Sequence, residues 1–170
     1  MNRIDKKFKD LRQNNQKAFI AYICAGDPSA NFTEKLVLEL DRIGVDIVEL
    51  GIPFSDPIAD GPTIQRSSER ALKNNFTIYK AIDIVRRIRK RSEIPIVFMG
   101  YYNPIFRYGL NNFFKDSSIS GLDGLIIADV PFEESGDISK LASHYGIDNI
   151  SLVAPTTGED RLRRILKETR

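Results

Sequence analysis

The chain has 170 residues, enough for one domain with a substantial buried core. Its 42% hydrophobic and 28% charged content is ordinary for a soluble globular protein. A net charge of +2, from 25 basic and 23 acidic residues, offers no footprint for nucleic acid or an anionic membrane, and no apolar run reaches a membrane-spanning length.

The N-terminus, "MNRIDKKFKDLRQ", lacks the continuous apolar stretch of a secretory signal, so a cytoplasmic protein is expected. Ile4, Phe8 and Leu11 recur at helical spacing, which predicts a helix over about 3–13. The first apolar run, "AFIAYICA" (18–25), follows it and contains Cys24. A single cysteine cannot form an internal disulfide or a cysteine-rich metal site, and here it reads as a small hydrophobe. "AGDPS" (25–29) is a turn, with Asp27 expected to cap the next helix. In "TEKLVLELDRIG", Leu36, Val37, Leu40 and Ile43 share a face before Gly44.

The second run, "DIVELG" (46–51), leads into "IPFSDPIADGPTIQ". A helix-compatible piece, "TIQRSSERALKN", comes next, and then "TIYKAIDIVRRIRK" with Ile78, Ala81, Ile82, Val85 and Ile88 on one side. The basic cluster Arg86, Arg87, Arg89, Lys90 and Arg91 falls in the last turns of that helix, where cations complement the dipole. The third run, "IPIVFMGY" (94–101), ends in "YYNP", and the fourth, "GLIIADV" (124–130), in "PFEES". "DISKLASHYG" is a helix closing on Gly146, which leaves His144 on the surface. The fifth run is "NISLVAP" (149–155). In "TGEDRLRRILKETR", Thr157 and Asp160 have capping-box spacing ahead of Leu162, Ile165 and Leu166.

The five runs are nearly continuous in apolar residues, as parallel strands buried on both faces should be, and helices alternate with them. Two architectures fit. One is a complete five-stranded doubly wound sheet. The other is a (β/α)8 barrel of roughly 250 residues, of which residues 18–170 would supply five βα units. Either way residues 1–170 form a single α/β domain.

Glu49 is the residue out of place. It shares a side with Ile47 and Gly51, near the C-terminal end of its strand, where parallel α/β proteins keep their active sites. Desolvation raises a carboxyl pKa and suits it to proton transfer; the plainer reading is a Glu paired with an arginine. The loop that follows is stiffened by Pro53, Pro57 and Pro62, which restrict themselves and the residues before them. Such a loop can hold Asp60 across a common hollow from Glu49, so that two carboxylates divide proton donation and acceptance. Asp56 sits at the exposed bend. Asp129 reads as a turn residue or a third acid, and Glu49, Asp60 and Asp129 together would suit a hard divalent metal. There is no GxGxxG, no P-loop and no strand lysine, so the residues point to acid–base chemistry on a small substrate. A non-catalytic flavodoxin-like binding domain and a metal-dependent aldolase using Asp60 and Asp129 are the other readings.

"VELGIPFSDPIADGPTIQ" (48–65), with "AGDP" (25–28), "YYNP" (101–104), "ADVPFEES" (128–135) and "APTT" (154–157), resembles the signature of the tryptophan synthase alpha chain family. The resemblance implies a (β/α)8 barrel that cleaves indole-3-glycerol phosphate to indole and glyceraldehyde 3-phosphate. It implies no cofactor in this chain, and an α2β2 complex with a pyridoxal-phosphate beta chain. By the same resemblance, Glu49 is the acid/base at indole C3 and the glycerol hydroxyl, and Asp60 receives the indole N–H. Tyr22, Met99, Tyr101, Ala128 and Val153 wall the indole pocket, and Pro53, Asp56 and Asn103 face the beta chain. Tyr22 stands where phenylalanine is common, and Cys24 where threonine is common. Backbone amides that bind substrate phosphate after strands seven and eight would lie beyond Arg170, so the chain is expected to be part of a longer polypeptide, with negligible activity alone.

Overall fold

The computed structural model describes residues 2–169, so Met1 and Arg170, the ends of the expected domain, lie outside the described residues. Helix α1 (Arg3–Gln13) opens with a reciprocal capping box between Asn2 and Asp5. It is followed by β1 (Ile20–Cys24), α2 (Ala30–Arg42), β2 (Ile47–Gly51), α3 (Pro62–Lys73), α4 (Ile78–Ile88) and β3 (Ile96–Gly100). Then come α5 (Tyr102–Tyr108), α6 (Leu110–Ser120), β4 (Gly124–Ile127), α7 (Gly136–Tyr145), β5 (Asp148–Asn149) and α8 (Glu159–Glu168).

All strand pairs are parallel, and they lie side by side in chain order, β1-β2-β3-β4-β5. A doubly wound sheet needs a reversal of strand order and helices on both faces. Neither is present. On one face Val48, Leu50, Ile96, Phe98 and Leu125 pack with Val37 of α2, Val85 of α4, Phe113 of α6 and Ile138 of α7. On the other, Ile47, Val97 and Ile126 form a small separate cluster with Met99, Ile150 and Ile4 of α1. These are five βα units of a (β/α)8 barrel, with helices outside and α1 seated beneath the inner face. Gly124 makes room for that seat: a Cβ there would stand 3.1–3.2 Å from Ile150, Ile4 and Val97.

Several expectations need correction. The fifth strand pairs only over Asp148–Asn149, well short of the apolar run at 149–155. Among the described residues its only strand partner is β4, the Asn149 carbonyl accepts from the Thr169 hydroxyl, and beyond the Ile150 amide, which donates to Leu125 O, the ladder stops. Thr157 does not cap α8: Gly158 is the N-cap, and the Thr157 hydroxyl accepts from the Ala154 amide. Asp27 does not cap α2; Ser29 does, accepting from the Phe32 amide. Ile43, counted with the buried face of α2, is 62% exposed just past the helix. Helices α5 and α6 are not marked by the apolar periodicity, because Gly109 divides one aromatic-rich stretch into two short helices.

The basic cluster also does more than complement a dipole. Arg89 is nearly buried, donating to Gly121 O at 2.8 Å, Ile94 O at 2.7 Å and Asp123 Oδ2 at 2.6 Å. Asp123, 2% exposed, accepts as well from the Ile96 amide and from Arg3 of α1. This ion triad ties α1 and α4 to the N-terminal end of the sheet. Cys24 is buried and His144 exposed, as the patterns imply.

Candidate active site

Strand register places Tyr22 and Val97 on either side of Glu49, all on the inner face. Glu49 is half-buried there, and burial raises its carboxyl pKa. No arginine pairs with it among the described residues. Two residue pairs further along, Gly51 faces Cys24, and a Cβ on Gly51 would lie 2.2 Å from the Tyr22 hydroxyl. The Tyr22 ring therefore covers the backbone at the end of β2, which only glycine permits.

The loop from 52 to 61 is fastened along its length. The Ile52 amide donates to Met99 O at 2.8 Å, and Phe54 stacks on Tyr101 with ring centroids 5.3 Å apart. Asp56 accepts from Ser55 at the exposed bend, and its carbonyl accepts from the Ile58 amide. The Ala59 amide donates to the Tyr101 hydroxyl at 3.0 Å. Asp60, half-buried, donates its own amide to Pro57 O, and its carbonyl accepts from Gln65 of α3. Gly61 and Pro62 then start α3.

Tyr22 is the group on which both acids act. Burial foremost, then the charges of neighbours that include Asp60 and Glu49, push its phenol pKa far up. Tyr101, buried, has its phenol pKa raised by burial first and by Asp60 after it, against the lowering by the Ala59 amide. Register sets Tyr22 beside Glu49, and the Ala59 amide sets Tyr101 beside the loop that carries Asp60, both toward the C-terminal ends of β1 to β3. Met99 is half-buried on the same inner face.

The remaining expected residues lie elsewhere. Ala128 lines a cavity of about 330 Å³ over the ends of β4 and β5, with Asp129, Phe132 and Asn149. Val153 is 53% exposed. Pro53, buried, and Asn103, exposed, line one groove of about 450 Å³ with Tyr79 and Tyr108. Asp129 is exposed, with its carboxylate on the Tyr102 amide. No three His, Cys, Asp or Glu side chains gather as a metal-ligand set among the described residues.

Sequence reading missed the clasp behind α3. Asp27 accepts from Ser67 and takes both donors of Arg70 in a bidentate pair, and Arg70 holds its carboxyl pKa below the ordinary value. Gly26, at φ +85, lies flat under Phe76, where a Cβ would come within 2.3 Å of the ring. Partners 43 residues apart leave no local signal, although glycine in "AGDP" was a clue to a close approach.

Comparison with known proteins bears on this arrangement. Residues 8–170 match the family model described as tryptophan synthase alpha chain. The tryptophan synthase alpha chain of Geobacter sulfurreducens is 49% identical over 170 residues, all of this chain and 64% of that one. A crystal structure of tryptophan synthase subunit alpha from Legionella pneumophila superposes with a TM-score of 0.97 at 42% identity, over 99% of this chain and 65% of that one. A chain from the tryptophan synthase α2β2 complex of Pyrococcus furiosus superposes at 0.86 with 45% identity, covering 89% of this chain and 64% of the other. The chain spans a little under two thirds of the length of these relatives. It belongs to the tryptophan synthase alpha chain family.

Proposed function

We propose that this chain carries the acid–base pair of a lyase that cleaves indole-3-glycerol phosphate to indole and glyceraldehyde 3-phosphate, in tryptophan biosynthesis. The observation that carries the reading is Glu49: a half-buried carboxyl on the inner face of the sheet, its pKa raised by burial, beside a loop that fastens Asp60. In the reaction the bond between indole C3 and the glycerol carbon breaks, and its electron pair stays on C3. Glu49 delivers a proton to C3 and takes the one released by the glycerol hydroxyl as that carbon becomes a carbonyl. A carboxyl whose pKa is raised above the ordinary glutamate value is better suited to both duties. Asp60 accepts the hydrogen bond of the indole N–H as charge develops on the ring. Tyr22, Met99 and Tyr101 flank the site, and Ala128 and Val153 are assigned to the indole wall on family likeness alone.

The partner in this reading is a tryptophan synthase beta chain in an α2β2 assembly, with pyridoxal phosphate on the beta chain. Pro53, Asp56 and Asn103 are its contact points. The groove shared by Pro53 and Asn103 and the exposed position of Asp56 support that placement. No described helix is long and apolar enough to cross a membrane, and a cytoplasmic location is part of the proposal.

Indole release from indole-3-glycerol phosphate by the full chain with its partner tests the reading. Glu49→Gln should fold normally and lose at least about 100-fold in turnover, the scale of a general acid–base contribution. A variant that turns over at the parental rate refutes it.

A further inference from the structure

Asp129 stands two residues past the end of β4, exposed, and its Oδ1 accepts from the Tyr102 amide at 2.8 Å. That amide is one of the orphan donors at the start of α5. Fixing it fixes the turn that carries Tyr101, whose ring is buried against Phe54. The Tyr101 hydroxyl in turn accepts from the Ala59 amide at 3.0 Å, and Ala59 immediately precedes Asp60.

We propose that Asp129 is a positioning residue for Asp60: it braces the acid loop across two strand ends, acting through the Tyr102 amide and the Tyr101 hydroxyl. This rests on the reading of Asp60 as the acceptor of the indole N–H. The brace supplies what the three loop prolines cannot. Prolines restrict the chain locally, whereas the Asp60 carboxylate must be held relative to β3 and β4, which belong to other units of the sheet. The Tyr101 phenol accepts from the Ala59 amide and retains its own proton for a neighbour; Asp60 follows Ala59 directly.

Four variants of the full chain test the brace: Tyr101→Phe, Asp129→Ala, Asp129→Asn and Asp60→Asn. Two readouts are needed, amide hydrogen exchange at Ala59 and steady-state cleavage of indole-3-glycerol phosphate. Tyr101→Phe should speed Ala59 exchange by about 2- to 12-fold, the loss of one net hydrogen bond. It should lower kcat by roughly 10- to 100-fold with KM little changed, the cost of a misplaced group. Asp129→Ala should shift both readouts the same way but less, and Asp129→Asn, which keeps an oxygen for the Tyr102 amide, should restore them. Unchanged Ala59 protection in Tyr101→Phe, or equal behaviour of Asp129→Ala and Asp129→Asn, overturns the brace. Parental turnover in Asp60→Asn refutes the assignment of Asp60, while Ala59 exchange still decides whether the brace exists.

Discussion

The raised pKa of Glu49 has a thermodynamic sign as well as a chemical use. A carboxyl whose pKa is higher folded than unfolded binds more protons in the native state across that interval. Stability therefore falls as pH rises from the ordinary glutamate value, and the deficit is complete once pH has passed the raised one. Glu49→Gln, expected above to lose turnover, should accordingly raise Tm at pH 7. The gain should vanish below about pH 4, where the carboxyl is protonated in both states. Thermal unfolding at pH 7 and pH 3.5 checks both halves, and a Tm lowered at pH 7 contradicts the buried-carboxyl account. Gly51 offers a second test at this scale. Gly51→Ala drives a methyl into the Tyr22 ring and should cost roughly 1–3 kcal/mol, the range for overpacking. Denaturant unfolding should show the cost largely relieved when Tyr22 is also cut to alanine, because the two side chains compete for one space. Additive losses in the double variant would show that the ring is not the obstacle.

Among the elements, the ion triad at the N-terminal end of the sheet has the largest stake. Asp123→Ala would leave Arg89, whose side chain is only 9% exposed, as a nearly buried cation without a counter-charge. Breaking a buried pair in this way costs about 3–5 kcal/mol. Denaturant titration should show that loss, and a loss under ~1 kcal/mol would mean that water reaches Arg89. What was legible in the sequence divides along the same line. The α4 stripe was readable because Ala81, Ile82, Val85 and Ile88 repeat at helical spacing and all are buried. Glu49 was readable because a charge interrupted an apolar strand. The Asp27–Arg70 clasp and the Arg89–Asp123 pair were not, since each joins residues 34 or more positions apart and polar patterning records no partner. The end of β5 was misread for a related reason: apolar composition marks burial, whereas a strand also needs a neighbour's backbone to pair with. Tyr101 was expected to line a pocket; its hydroxyl on the Ala59 amide depends on a loop path that no local pattern specifies.

Over the whole molecule, strand order decided between two folds that composition could not separate. Sequential parallel pairing with α2, α4, α6 and α7 packed on one face is barrel geometry, and it sends the C-terminal ends of β1 to β3 to one rim, that of the proposed catalytic residues. That rim also carries the exposed bend at Asp56 and the groove shared by Pro53 and Asn103. A beta chain docked there would touch the same loop that holds Asp60. Asp56→Ala should therefore reduce stimulation of indole release by the beta chain by about 3- to 10-fold, with the unstimulated rate nearly unchanged, as for loss of one interfacial charge contact. Paired assays with and without the beta chain measure this. Equal losses in both would place Asp56 in the loop's own structure instead.

The seat of α1 imposes an order of assembly. Each strand of this sheet pairs with the one made just before it, so the sheet can extend as the polypeptide leaves the ribosome. Helix α1 is different: Lys7 can meet Asp46 early, but Arg3 also reaches Asp123, 120 positions downstream, and Asn2 reaches Asp148. Its seat is complete only once β4 and β5 have been made.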